Sequence, residues 1–173
     1  MFALVFSAAQ FVNAQCGITG QSNFITSQEA LNTLVDCEVF QGDLNITGSD
    51  ITNLDALSSL VSIEGSFSVY ETSITSIDPL DALMNANEVS IYNNEYLSAC
   101  CASLDWQTAV DLGAISSVTF GSNAPDCNSY AEAQAACLGL VPGCTDSNAS
   151  NYNAQATFDD GGCLNGPDLQ VSV

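Results

Sequence analysis

The side chains able to do chemistry here are twenty carboxylates, eight cysteines and the neutral hydroxyls and amides around them, because the sequence holds no Lys, Arg or His. A formal net charge of −20 without one cation closes several classes of function together. No Ser-His, Cys-His or Ser-Lys pair can be built, and no Schiff base can form. Phosphates cannot be neutralised, so nucleic acids are excluded as partners and direct binding to anionic membranes is disfavoured. Carboxylate pairs remain. A glycoside-cleaving pair needs two acids about 5–10 Å apart in a cleft, one with a raised pKa, and Asp43 and Glu88 are the acids whose strand spacing approaches that distance. On an open acidic surface neither would be desolvated, so no enzyme activity is expected. Thiol catalysis is not expected either, since nothing basic is present to depress a thiol pKa.

Oxygen-ligated metal is the other possibility. Asp146, Asn148, Asn151, Asn153, Asp159 and Asp160 crowd carboxylate and amide oxygens into one short stretch. Calcium takes six to eight such oxygens at about 2.4 Å, which makes it the one candidate cofactor. The spacing is not that of an EF-hand, because the glycine and the terminal Glu are missing. The alternative is that these residues shape turns by hydrogen-bonding their own backbone.

The elements that must position these groups come from an internal repeat. A shift of 23 residues lays Leu44, Ile46, Ile51, Leu54, Leu57, Leu60 and Ile63 onto Phe67, Val69, Ile74, Ile77, Leu80, Leu83 and Ala86. Gly42 falls on Gly65 and Asp55 on Asp78; a third copy starts one residue early at Val89 and Ile91, and a degenerate fourth strand is Ser117–Phe120. Each unit is a short alternating strand followed by an arc with apolar residues every third position. One unit cannot bury its apolar side alone, whereas stacked units share a core. The prediction is an α/β leucine-rich-repeat-like solenoid of about four coils with a short parallel sheet. A sandwich whose strands share a spacing by accident is the alternative.

Both open ends of a solenoid need covering. Thr26 and Glu29 have capping-box spacing and open a helix predicted to run to Val35, bracketed by Cys16 and Cys37 as a disulfide pair. At the far end, Ser103–Leu112 reads as a helix carrying Leu104, Trp106 and Leu112. A second helix, Ser129–Leu138, opens on Ser129 and Glu132. Cys100 and Cys101 pair with Cys127 and Cys137, with the crossing unassigned, since adjacent cysteines can hardly bond to each other.

Strand alternation sends Leu44 and Ile46 inward and their neighbours outward. Stacking then sets outward residues in rows: Asn45, Ser68, Ser90 and Thr119; Thr47, Tyr70, Tyr92 and Gly121; Asp43, Ser66, Glu88 and Ser117. Tyr70 and Tyr92 should stand side by side, about 4.8 Å apart. Two exposed tyrosines among hydroxyls, amides and carboxylates suit a sugar, or serve as anchors for a protein. The alternative is that these rows only support sheet pairing. The candidate ligand-binding residues are Asn45, Thr47, Ser68, Tyr70, Glu88, Ser90 and Tyr92.

Residues 16–138 resemble the leucine-rich, receptor L-domain-like modules of secreted Bacteroidota surface proteins. The resemblance is carried by Cys16…Cys37, the Gly-x-Leu-x-Ile start at Gly42, the repeat, Cys100-Cys101, and Asn123…Cys127…Cys137. It implies surface recognition or adhesion without catalysis, an extracellular glycan or protein as partner, and a place inside a longer multidomain chain. Residues 143–163, GCTDSNASNYNAQATFDDGGC, resemble a short cysteine-bracketed repeat of the same proteins, departing from it at Ser147 and Gly162. Cys144 and Cys163 can close that loop, which has almost no core of its own. The competing reading is a stalk, spacer or filament subunit whose partners are copies of itself.

The flanks agree with export. Phe2–Ala9 is a short apolar run, and Val12-Asn-Ala14 suits cleavage after Ala14, although the basic residues usual ahead of such a run are missing. Eight cysteines fit an oxidising compartment, secreted or at the cell surface. The expected order is a signal segment at 1–14, the solenoid at 15–138, the small module at 139–163 and a linker or further domain from 164. The sequons at Asn45 and Asn148 are read as incidental, and the stretch after Gly166 as the first strand of another domain.

Overall fold

The computed structural model describes residues 14–141, 143–159 and 161–164. Most of the expected signal segment, Asp160 and the final stretch from residue 165 lie outside the described residues.

Among the described residues six strands form one parallel sheet: β1 (Gln15–Ile25), β2 (Val39–Gly48), β3 (Ser62–Ile63), β4 (Phe67–Thr72), β5 (Ala86–Tyr92) and β6 (Ile115–Gly121). Their order is β1-β2-β4-β5-β6; β3 lies off this path and pairs with β2, and Ser62 also bridges to Asn85. The ladder pairs Leu44 with Phe67 and Ile46 with Val69, as the 23-residue shift requires. It then pairs Phe67 with Val89 and Val69 with Ile91, which accommodates the early third copy. Short 3-10 turns at Asp55–Leu57, Asp78–Leu80 and Cys101–Ser103 swing the chain back between strands. Ile51, Leu54, Leu57, Leu60 and Ile63 are wholly buried, and so are Ile74, Ile77, Leu80 and Leu83 one coil later. The apolar residue at every third position therefore lines one continuous core, as a stacked repeat demands.

A polar spine runs through this core. Asn94 Oδ1 accepts from Thr72 Oγ1 (2.7 Å) and Thr72 N (3.2 Å), and Asn94 Nδ2 donates to Val69 O (3.1 Å). One coil on, Asn123 Nδ2 donates to Ile91 O (3.0 Å) and Cys127 O (2.8 Å). These amides satisfy carbonyls and N–H groups at a corner that the sheet ladder leaves unpaired. The preceding residues, Glu71, Asn93 and Ser122, all take left-handed backbone (φ 53°, 56° and 54°), which lets the chain turn at the same place in three successive coils.

The ends differ from expectation. The first coil begins with strand β1, and α1 (Gln28–Leu31) follows it, continued by a 3-10 turn at Asn32–Leu34. The sheet path therefore has five strands, where the repeat alone suggested about four coils. Asn23 takes the inward position opposite Leu44, its amide donating to Asp43 O, so β1 lacks the apolar alternation that marks the other strands. The N-cap is Ser27 rather than Thr26: Ser27 Oγ accepts from Ala30 N (3.2 Å).

At the far end, α2 (Leu104–Asp111) buries Trp106 against Phe120, their ring centroids 6.3 Å apart, but leaves Leu112 77% exposed beyond the helix end. α3 (Tyr130–Cys137) is capped as the spacing predicts, Ser129 Oγ accepting from Glu132 N (3.1 Å). The return bond of Glu132 goes to Asn128 N instead of Ser129 N. Four disulfides are present: Cys16–Cys37, Cys100–Cys127, Cys101–Cys137 and Cys144–Cys163.

Candidate ligand-binding face

Residues that point away from the core along β2, β4, β5 and β6 stand opposite one another strand by strand. Asn45, Ser68, Ser90 and Thr119 make one row, and Thr47, Tyr70, Tyr92 and Gly121 the next. Glu88 lies opposite Ser117. β1 lengthens the face: Phe24 falls opposite Asn45, is 61% exposed, and was invisible to the repeat because β1 carries no apolar pattern.

The rows are laced laterally. Ser68 Oγ donates to Asn45 Oδ1 at 2.7 Å. Asp43 receives Ser66 N on Oδ1 (2.9 Å) and Ser22 Oγ on Oδ2 (2.7 Å), and these bonds, the backbone one foremost, hold its carboxyl below the ordinary value. That is the opposite of what a general acid needs. Asp43 and Glu88 also sit two strands apart in the sheet order, roughly 10 Å by strand spacing.

Tyr70 and Tyr92 form a parallel stack, centroids 5.1 Å apart and planes within 2°. The Tyr92 phenol is pushed up, first by burial and then by Tyr70 and the Glu71 carboxylate. Beyond Tyr92 the row ends on Gly121 in β6, the last strand of the sheet path. At the strand ends lies a cleft of about 360 Å³, lined by Glu71, Thr72, Asn93, Tyr96 and Ser122 among others. A larger cleft, about 470 Å³, separates the start of α3 from the second module between Asp126, Ser129, Glu132 and Phe158.

In the second module Asp146, Asn151, Asn153 and Asp159, four of the six residues proposed for calcium, accept from N–H or O–H groups. Asp146 Oδ1 accepts from Asn148 N (2.9 Å), and Asn153 Oδ1 from Gln155 N (3.0 Å). Asp159 accepts from Gly161 N (2.9 Å) on Oδ1 and Thr145 Oγ1 (3.1 Å) on Oδ2. Asn151 ties down the segment after the acidic pair, accepting from Leu164 N (2.7 Å) and donating to Gly162 O (2.8 Å). These are side-chain-to-backbone bonds of the kind that shape turns. Among the described residues no three acidic or Cys side chains cluster as metal ligands.

A family model for the receptor L domain matches residues 36–133, more than half of the chain. No curated protein and no solved structure matches it. Receptor L domains are non-catalytic modules that bind extracellular ligands. With four disulfides, the match indicates an extracellular or cell-surface protein, and no helix of the described residues is long and apolar enough to cross a membrane. The matched span contains every strand from β2 to β6, the strands that carry both the repeat core and the tyrosine row, and on that ground the chain belongs to the receptor L domain family.

Proposed function

We propose that this protein is a secreted recognition or adhesion module that engages an extracellular glycan or protein through the outward face of β2, β4, β5 and β6, without catalysis. The observation that carries this reading is the stacked Tyr70–Tyr92 pair, two large half-buried aromatic side chains in an outward row completed by Thr47 and Gly121. Asn45, Thr47, Ser68, Ser90 and Glu88 surround them as hydrogen-bonding groups. In the same reading, residues 1–14 direct export, 15–138 form the solenoid with helices covering its ends, and 139–163 form a small module made rigid by Cys144–Cys163 and by side-chain turns. A spacer or stalk would be indifferent to the tyrosines.

The test is Tyr70→Ala with Tyr92→Ala in residues 15–173, applied to a printed array of cell-surface glycans and secreted proteins. Loss of every positive spot with an unchanged circular dichroism spectrum supports the reading. Retention of those spots, or an array on which the wild type binds nothing, overturns it.

A further inference from the structure

We infer that the space above Gly121, against the free side of the Tyr92 ring, is a stacking subsite for one ring of a neutral saccharide. The inference rests on the strand-face reading and narrows it to one ligand class and one position. Tyr70 and Tyr92 are parallel and 5.1 Å apart, so each covers one side of the other. Tyr70 has Thr47 on its other flank, whereas Tyr92 has Gly121, which presents no side chain. No atom beyond its chain neighbours lies within 4 Å of where a Cβ on Gly121 would stand. Strand spacing makes this gap about 4.8 Å from the Tyr92 backbone, so a ring placed there continues the stack by one step. Thr119 and Ser90 lie one row away on the same two strands and offer hydroxyls.

Charge and composition select the occupant. With twenty carboxylates and no cation, the surface repels uronic, sialic and sulfated sugars, leaving neutral rings whose C–H faces suit an aromatic face. A protein partner fits less well. Protein interface cores are depleted in Ser, Asp and Glu, and beside the tyrosine pair this face offers mainly Ser, Thr, Asn and Glu88.

The experiment titrates residues 15–173 with gluco-, manno-, xylo- and N-acetylchito-oligosaccharides of six units by calorimetry, on wild type, Tyr92→Ala and Gly121→Trp. Gly121 does not have left-handed backbone and its surroundings are open, so a large side chain there fits without disturbing the fold, which circular dichroism checks. We expect at least one of these neutral oligosaccharides to bind, and both variants to weaken it roughly tenfold or more. Binding lost in Tyr92→Ala but kept in Gly121→Trp overturns the subsite and leaves the strand face standing. Binding kept in both variants overturns both. No binding by any of the four overturns the saccharide assignment, and a protein ligand lost only with the tyrosines would then carry the strand-face reading alone.

Discussion

Asn94 and Asn123 stand one coil apart inside the core, and a single oxygen joins them: Asn123 Oδ1 accepts from both Asn94 N (3.1 Å) and Asn94 Nδ2 (3.2 Å). Each amide also serves backbone groups of its neighbours, so the two link three coils through hydrogen bonds in a region otherwise apolar.

Asn94→Leu should therefore cost more than its change in hydrophobicity suggests. It strands the Thr72 N–H and hydroxyl and the carbonyls of Val69 and Tyr92 without water to replace their partner. Denaturant unfolding should show a loss of about 2–4 kcal/mol. A loss below about 1 kcal/mol would mean the spine is not a stabilising element.

Gly65 is buried, and a Cβ there would meet the Asp43 carboxylate together with Asp43 N and Gly42 C, the last two at 2.7 Å. Gly65→Ala should lower the melting temperature by several degrees, on the order of 1–3 kcal/mol for forced overpacking. Because two of the obstacles are backbone, adding Asp43→Ala should not restore it. Recovery in the double variant would show that the carboxylate alone sets the limit.

Asp43 carries a pH dependence of definite sign. Its folded pKa lies below the ordinary value of about 3.9. Its stabilising contribution is thus full above that value and is lost as pH falls beneath it. The stability difference between wild type and Asp43→Asn should be larger at about pH 6 than at about pH 2.5. Taking the difference cancels the relief of self-repulsion that acid brings to the other carboxylates. A gap that widens in acid would contradict the assigned bonds from Ser66 and Ser22.

The second module should be indifferent to calcium. Millimolar calcium and EDTA are expected to give the same melting temperature. Asp159→Ala should speed amide exchange at Gly161, whereas Asp159→Asn keeps an acceptor there and should not. A calcium-dependent rise in melting temperature that Asp159→Asn removes would instead place a metal among these oxygens.

Strict alternation in β2 and apolar residues at every third position of each arc determined the core by themselves, since burial follows periodicity in a stacked repeat. The same alternation implied the outward rows, and the ladder places Tyr70 opposite Tyr92 accordingly. Other features belong to the tertiary structure. β1 is held by parallel pairing to β2 while Asn23 fills an inward place, so neither the strand nor Phe24 on its outward side has a hydrophobic signature. Pairing of Cys100 with Cys127 and of Cys101 with Cys137 depends on where the fold sets Cys127 and Cys137 against Cys100 and Cys101, because four nearby cysteines permit either crossing. Whether the Asp and Asn oxygens of residues 143–163 converge or turn back on their own backbone depends on local dihedrals, and spacing alone admits both. Gly121 is an ordinary glycine in the sequence; only the neighbouring strand, which sets Tyr92 beside it, turns its missing side chain into a space of definite shape.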